Sequence, residues 1–405
     1  MDAVKYMEMI QDHHILDLKK MGYKYSGDAV MEMIAVMKTG AYQEILLPDF
    51  SGKNNLVYVP GILSSVSDAA KILLRFQGTE LYGRRALENE IVSTFEIEQI
   101  ETSRDSVREI LAGKAPRDEK EQRILGMKRG FEFIADKRNR ISAVNMRHLY
   151  EIAINPYLTY VEDHLTEGMF YRDGDVKVVN KLQEKKIHTG IAAEKIERMM
   201  EQLFSFIESR QSMNDLEKAA AIHFYIGYIH PYYDGNGRMA RLMHLWYLLQ
   251  EGYSAALFLP FSSLIQQSKN QYNKAYELTE ENAKISGVVD ITPFLAYFNN
   301  AVYRYIGEET LVCDALDRFD GLLKEGKITS KEKELFHFVL SNYGSSEFST
   351  KQLEKDFGNA AYATIRTFVL KLTEYGLLEA HPYGSRTKYC VAAPHAAAKC
   401  SGMKA

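Results

Sequence analysis

The chain has 405 residues, 46% hydrophobic and 26% charged, with a formal net charge of −4, which describes a soluble globular protein of two or three domains at roughly 150 residues each. With 9 prolines and 26 glycines it is neither collagen-like nor disordered, and its odd cysteines, Cys313, Cys390 and Cys400, support neither a disulfide framework nor a structural zinc site. No basic-then-apolar leader opens the sequence and no apolar run approaches the ~18 residues of a membrane span, so a cytoplasmic location without a membrane partner is expected.

In chain order, Val4, Met7, Ile10 and Leu16, then Val30, Ile34, Val36 and Met37 beyond a break at Gly27, recur at helical spacing over residues 1–40. The block EILLPDFSGKNNLVYVPG flanks a turn at Ser51 to Asn54 and reads as a loop or short hairpin. Helical patterning resumes near Ser67 and runs to about Tyr160, broken by the charged GKAPRDEK at 113–120. Residues 170–190, FYRDGDVKVVNKLQEKKIHTG, alternate apolar and polar positions and give the strongest hairpin signal of the chain. Long helices are expected from 193 to 305. From Ile328 three short helices precede two strands joined at Pro382-Tyr383-Gly384, the order of a winged helix-turn-helix.

One stretch concentrates chemistry. Leu216, Ala219, Ala220, His223, Ile226, Gly227 and His230 share a helical face, and Pro231 ends that helix by disfavouring the α conformation at His230. The loop Asp234-Gly235-Asn236-Gly237 then feeds a helix beginning at Arg238. Backbone N–H groups at a helix start, unshielded by glycine, form an anion site. Arg238 and Arg241, three apart, add forked donors suited to phosphate, and Asp234 offers a hard carboxylate for magnesium riding on phosphates. His223 reads equally as a satisfied core histidine or as part of the site.

The run HPYYDGNGRMAR, from His230 to Arg241, resembles the signature of the Fic (filamentation induced by cAMP) family, with Tyr232 where the family usually has phenylalanine. The likeness extends from the hairpin to Pro293-Phe294. It implies a helical Fic core with a β-hairpin flap over 116–305, within a mainly α fold that the patterning completes with an N-terminal helical region over 1–115, a linker helix over 306–327, a winged helix over 328–395 and a frayed tail over 396–405. It implies transfer of AMP from ATP to a Ser, Thr or Tyr hydroxyl of a target protein or of the chain itself. His230 would be the general base and Asp234 the magnesium ligand. Gly235, Asn236 and Gly237 would bind phosphate, with Arg238 and Arg241 clamping its β/γ portion. The flap strand Lys186, Ile187, His188, Thr189, Gly190 and Ile191 would pair with the target backbone. Tyr272 and Tyr276 read equally as adenine pocket and as core.

Family members carry an inhibitory helix with Ser or Thr, then Glu four residues later, then Gly or Asn. Thr94 and Glu98 fit, while Gln99 departs from the pattern. On the face of Leu87, Ile91 and Phe95, Glu98 occupies a place expected to be apolar, and Arg241 is its natural partner. A carboxylate so placed could instead align water, so removal of AMP from modified protein is a related activity. The rival reading is a DNA-binding regulator with a nucleotide-sensing or inactive core. Residues 328–405 hold ten Lys plus Arg against seven Asp plus Glu, with Thr364, Arg366, Thr367, Lys371, Arg386 and Lys388 turned outward. DNA binding and protein contact are equal expectations there, and a homodimer is an open assembly.

Overall fold

The computed structural model describes residues 1–64, 84–180, 185–210, 213–258, 261–304, 318–319, 321–343, 347–384 and 386–392. The expected helices just after Ser67, Cys313, Cys400, the tail 396–405 and much of the linker helix 306–327 lie outside the described residues. The chain divides into two compact units: Met1–Val66, Glu90–Tyr253 and Phe261–Tyr303 form one, and Ser67–Asn89, Ser254–Pro260 and Arg304–Ala405 the other.

In the first unit the N-terminal pattern resolves into α1 (Ala3–Ile10), α2 (Leu18–Tyr25) and α3 (Gly27–Gly40), whose first turns are capped by the side chains of Asp2, Asp17 and Ser26. Their apolar faces meet in a core of Met9, Met21, Val30, Met33 and Ile34. The following block is a hairpin, β1 (Gln43–Pro48) and β2 (Asn55–Tyr58), paired antiparallel. These first elements pack with later ones: Asn282 accepts from the Leu18 amide at 3.0 Å, and Ile291 N–H donates to the Val57 carbonyl at 2.9 Å. The segments set out as 1–115 and 116–305 are therefore part of one packed body over their described first-unit residues.

Helices α4 (Arg84–Ile97, of which this unit takes the part from Glu90), α5 (Arg104–Leu111), α6 (Glu119–Ala135) and α7 (Ala143–Ala153) follow, then the hairpin β3 (Lys177–Asn180) and β4 (Lys185–Thr189). After α8 (Ala193–Glu208) come α9 (Asp215–Ile229) and α10 (Asn236–Gln250), both buried almost all round, from Leu216 to Ile229 and from Arg238 to Leu248. A helix without a polar face belongs at the centre of a core, and this central pair carries the DGNG loop between its members. Helices α11 (Phe261–Gln267), α12 (Lys269–Ser286) and α13 (Thr292–Tyr297) complete the unit.

In the second unit α14 (Ser330–Asn342), opened by a Thr329–Glu332 capping box, precedes α15 (Thr350–Phe357), α16 (Tyr362–Glu374) and the antiparallel hairpin β5 (Leu378–Tyr383) and β6 (Arg386–Val391). Leu335, Phe336, Ile365, Phe368, Val369 and Leu372 form its core. Arg366 and Thr367 are exposed, whereas Lys371 is tied to Glu332 at 2.8 and 2.9 Å, and Lys388 lies 3.4 Å from Glu347. Two of the cations expected to be available for phosphate are thus paired within the unit. Among the described residues no helix is long and apolar enough to cross a membrane.

Candidate active site

Helix α9 ends at His230, as Pro231 requires, but His230 turns left-handed, with φ 58° and ψ 62°, instead of the extended form expected before proline. Its amide still bonds the Ile226 carbonyl at 2.9 Å, so the αL turn closes the helix. A β-carbon in this conformation costs about 1–2 kcal/mol. The His230 ring Nδ1 lies 3.1 Å from the Gly227 carbonyl. A carbonyl can only accept, so this contact places the proton on Nδ1 and leaves Nε2 as the basic nitrogen.

The loop is shaped from within. The Asn236 amide group accepts from Tyr232 N–H at 2.9 Å and donates to the Tyr232 carbonyl at 2.8 Å. Its side chain is therefore committed to closing the loop, and what it presents outward is backbone. Tyr232 fills the place of the usual phenylalanine by stacking on Tyr150, ring centroids 3.8 Å apart, and Tyr150 Oη donates to the Asp234 carbonyl at 3.0 Å. Gly235, at φ 78°, is the N-cap of α10 and makes no side-chain cap bond, so the cap itself supplies no acceptor to the first N–H groups of α10.

That helix start receives an internal anion. Glu98, just past the end of α4, accepts from Arg238 Nε at 2.7 Å and from Arg241 Nη2 at 2.5 Å, and Arg241 Nε donates to Thr94 Oγ1 at 2.6 Å. The grip on Arg241 accords with the spacing, and the share taken by Arg238 was not foreseen. Both guanidinium groups are at least nine-tenths buried. Burial pushes the Glu98 carboxyl up, but the charges of Arg238 and Arg241 and their hydrogen bonds outweigh it, and the group ends below the usual carboxylate range. A β-carbon on Gly237 would stand 2.7 Å from Glu98 Oε1, so glycine is what lets the carboxylate reach the start of α10.

The departure at Gln99 has a physical meaning. Gln99 has φ 59°, its N–H bonds the Glu96 carbonyl at 3.2 Å, and Ile100 N–H bonds Phe95 O at 2.9 Å. These two bonds form a Schellman ending, which favours glycine or asparagine at the left-handed position. Glutamine occupies it here at a cost.

A cavity beside the loop is lined by Phe224, Gly227, His230, Gly237, Tyr272 and Tyr276 among others. The two tyrosines are both packed and cavity-lining: their rings meet edge to face at 5.4 Å, and Tyr272 Oη lies 2.9 Å from His223 Nε2. His223 is buried, and desolvation first, then His244 and Arg241, hold it well below its ordinary value, hence neutral. Asp234 keeps 54% of its side chain exposed, takes the Gly235 N–H at 2.6 Å, and lies 3.6 Å from Arg238 Nη2. A single accessible carboxylate fits magnesium that is ligated mainly by water and nucleotide phosphates. Among the described residues the one trio of side chains close enough together to chelate an ion, Glu379, His381 and Cys390, belongs to β5–β6 and not to this loop.

The expected outgoing flap strand occupies Lys185–Thr189, with Gly190 and Ile191 just past it and buried. Residues missed by sequence reasoning include Arg172, which hydrogen-bonds the carbonyl of His230, and Glu90, which accepts from Ser262 N–H at 2.8 Å. Glu90 was findable, because it lies four residues before Thr94 and eight before Glu98 on one face of α4. No pattern marked Arg172.

Residues 141–248, from α7 to α10, match the Fic/DOC family model, and Tyr272 and Tyr276 fall outside the matched span. Among curated proteins it is 24% identical over 208 residues to protein adenylyltransferase fic-1 of Caenorhabditis briggsae, covering 49% of this chain and 36% of that protein. It is 27% identical over 150 residues to fic-1 of Caenorhabditis elegans, covering 34% and 26%, and 30% identical over 90 residues to protein adenylyltransferase Fic of Drosophila grimshawi, covering 22% and 16%. The chain thus spans about a third or less of the length of these relatives. Solved structures similar to it include a Fic family protein from Desulfovibrio desulfuricans G20, with TM-score 0.47, 18% identity and coverage of 81% of this chain and 97% of that one. Another is C. elegans Fic-1, with TM-score 0.44, 18% identity and coverage of 64% and 71%.

Proposed function

We propose that the protein is an ATP-dependent protein adenylyltransferase held in check by Glu98. The carrying observation is the convergence on one helix start of a histidine with its Nε2 basic, an uncapped N-terminus and two buried arginines. ATP lies with its adenine near Tyr272 and Tyr276 and its phosphates over Gly235 to Gly237. His230 Nε2 takes the proton of a Ser, Thr or Tyr hydroxyl. The hydroxyl oxygen bonds the α-phosphorus, the bond from that phosphorus to the α–β bridging oxygen breaks, and pyrophosphate leaves. Mg2+, when bound at Asp234, would neutralise phosphate charge. Arg238 and Arg241 orient the outer phosphates, a task in which positioning and charge supply most of the rate. The target presents its hydroxyl by strand addition along 186–191.

Glu98 occupies the donors that the outer phosphates need, so α4 acts as an inhibitory helix. The paired state of Lys371 and Lys388 favours protein docking over DNA binding for the winged module at 328–395. Mass spectrometry of the wild type and of Glu98→Gly after incubation with ATP and magnesium tests the reading: an added AMP, much increased in Glu98→Gly, is expected, and its absence from both proteins overturns it.

A further inference from the structure

The turn at His230 creates a problem that α9 cannot solve by itself. Pro231 has no N–H, and the carbonyls of Ile229 and His230 stand at the negative end of a buried helix. Arg172, on the segment leading into β3, answers both. Its side chain is 2% exposed. Nε donates to His230 O at 2.7 Å, Nη2 to Ile229 O at 3.4 Å and Ile191 O at 2.5 Å, and Nη1 to Gly174 O at 2.5 Å. Its own amide bonds Pro231 O at 3.0 Å. The four acceptors of the side chain are all carbonyls: two end the catalytic helix, and two flank the flap, one before β3 and one after β4.

Three further contacts bind the same two segments. Ile191 N–H donates to Ile229 O at 3.1 Å, Gly174 N–H to Tyr233 Oη at 3.0 Å, and Tyr233 Oη to Asp173 Oδ1 at 2.5 Å. The junction has no slack: a β-carbon on Gly190 would stand 2.7 Å from Arg172 Nη2 and 3.1 Å from His230 Cβ.

We propose that Arg172 is a positioning residue that fixes the left-handed turn of His230 to both ends of the β3–β4 flap, so that the docked target strand and the catalytic imidazole form one rigid assembly. This rests on the adenylyltransferase reading for its consequence, and on the guanidinium geometry for its substance. A buried cation held by several carbonyls at once tolerates no partial replacement: lysine reaches fewer of them and methionine none. Misplacement of the base by about 1 Å costs on the order of 10²-fold in turnover.

The test uses the full chain carrying Glu98→Gly, with Arg172→Met, Arg172→Lys or Gly190→Ala added. AMP transfer gives kcat and the KM for ATP, and the 13C spectrum of histidine-labelled protein reports the His230 ring, assigned by its loss in His230→Ala. Arg172→Met is expected to lower kcat about 10²-fold with KM for ATP within about threefold, and to displace the His230 resonance while the buried His223 and His244 signals stay. Arg172→Lys is expected to recover part of the loss. If Arg172→Met does not fold, Gly190→Ala, which crowds the junction without removing the arginine, is expected to give the same split and displacement. A folded Arg172→Met or Gly190→Ala with an unmoved His230 resonance overturns the proposal, and so does a loss of kcat matched by an equal rise in KM. If no AMP transfer occurs in Glu98→Gly itself, the adenylyltransferase reading fails, and the His230 resonance alone still decides whether Arg172 sets the turn.

Discussion

A single carboxylate, Glu98, meets two buried guanidinium groups, and hydrogen bonds to charged partners contribute about 1.5–3 kcal/mol each. Releasing them in Glu98→Gly is therefore expected to raise AMP transfer by roughly 10–100-fold, read with radiolabelled ATP. Because the arginines hold Glu98 below the usual carboxylate range, its contribution is complete above that range and is lost only as pH falls through it. The ratio of Glu98→Gly to wild-type rates should accordingly stay flat around neutral pH. His230→Ala is expected to reduce transfer by about 10²–10⁴-fold, the usual worth of a general base; transfer retained at the parent rate sinks the assignment. Gln99 leads to an opposite expectation. Gln99→Gly relieves a left-handed side chain and should stabilise the end of α4 by about 0.5–1 kcal/mol, raising Tm and lowering basal transfer.

At the scale of elements, α4 is held at two points of one face: by Glu98 and Thr94 on α10, and by Glu90, which caps the Ser262 N–H at the start of α11. Desolvation first, resisted by Ser262, raises Glu90 from 4.5 to about 7. A carboxyl raised in the folded state binds protons more tightly there than when unfolded, so its contribution declines as pH rises from about 4.5 to about 7. Relative to wild type, Glu90→Gln should gain stability across that window by on the order of 1–3 kcal/mol and level off above it, as measured by Tm against pH. The elements themselves were largely legible: helical character over 1–40, the hairpin at 170–190, the end of α9 and the glycine loop follow from period, proline and turn residues, although the break between α1 and α2 over residues 11–17 was not read. The left-handed His230 was not, because the rule for residues before proline points to extended backbone, and the countervailing bonds come from Arg172, 58 positions away. Nor was the second arginine on Glu98, since its approach depends on how α4 crosses the start of α10. The end of α4 was half legible: the odd residue at 99 was visible, but only the Schellman bonds explain which conformation it disturbs.

For the whole molecule, a net charge of −4 combines with internally paired lysines in the second unit to predict that the full chain will not retard a random duplex of about 30 base pairs even near 50 mM salt, where phosphate contacts are strongest. A clear gel shift would restore the DNA-binding alternative. Glu98 also has a consequence that counts no bonds. Tethered to α4, it is an intramolecular competitor whose local concentration is set by chain geometry, commonly millimolar for tethered groups and higher for a rigid helix. On the proposed reading, dilution of the protein cannot relieve the inhibition, and substrate contends with an occupant that never diffuses away. If α4 is the brake proposed above, activity follows the free energy of seating one helix, and any partner, modification or substitution that costs α4 a kilocalorie should register as a several-fold gain in transfer.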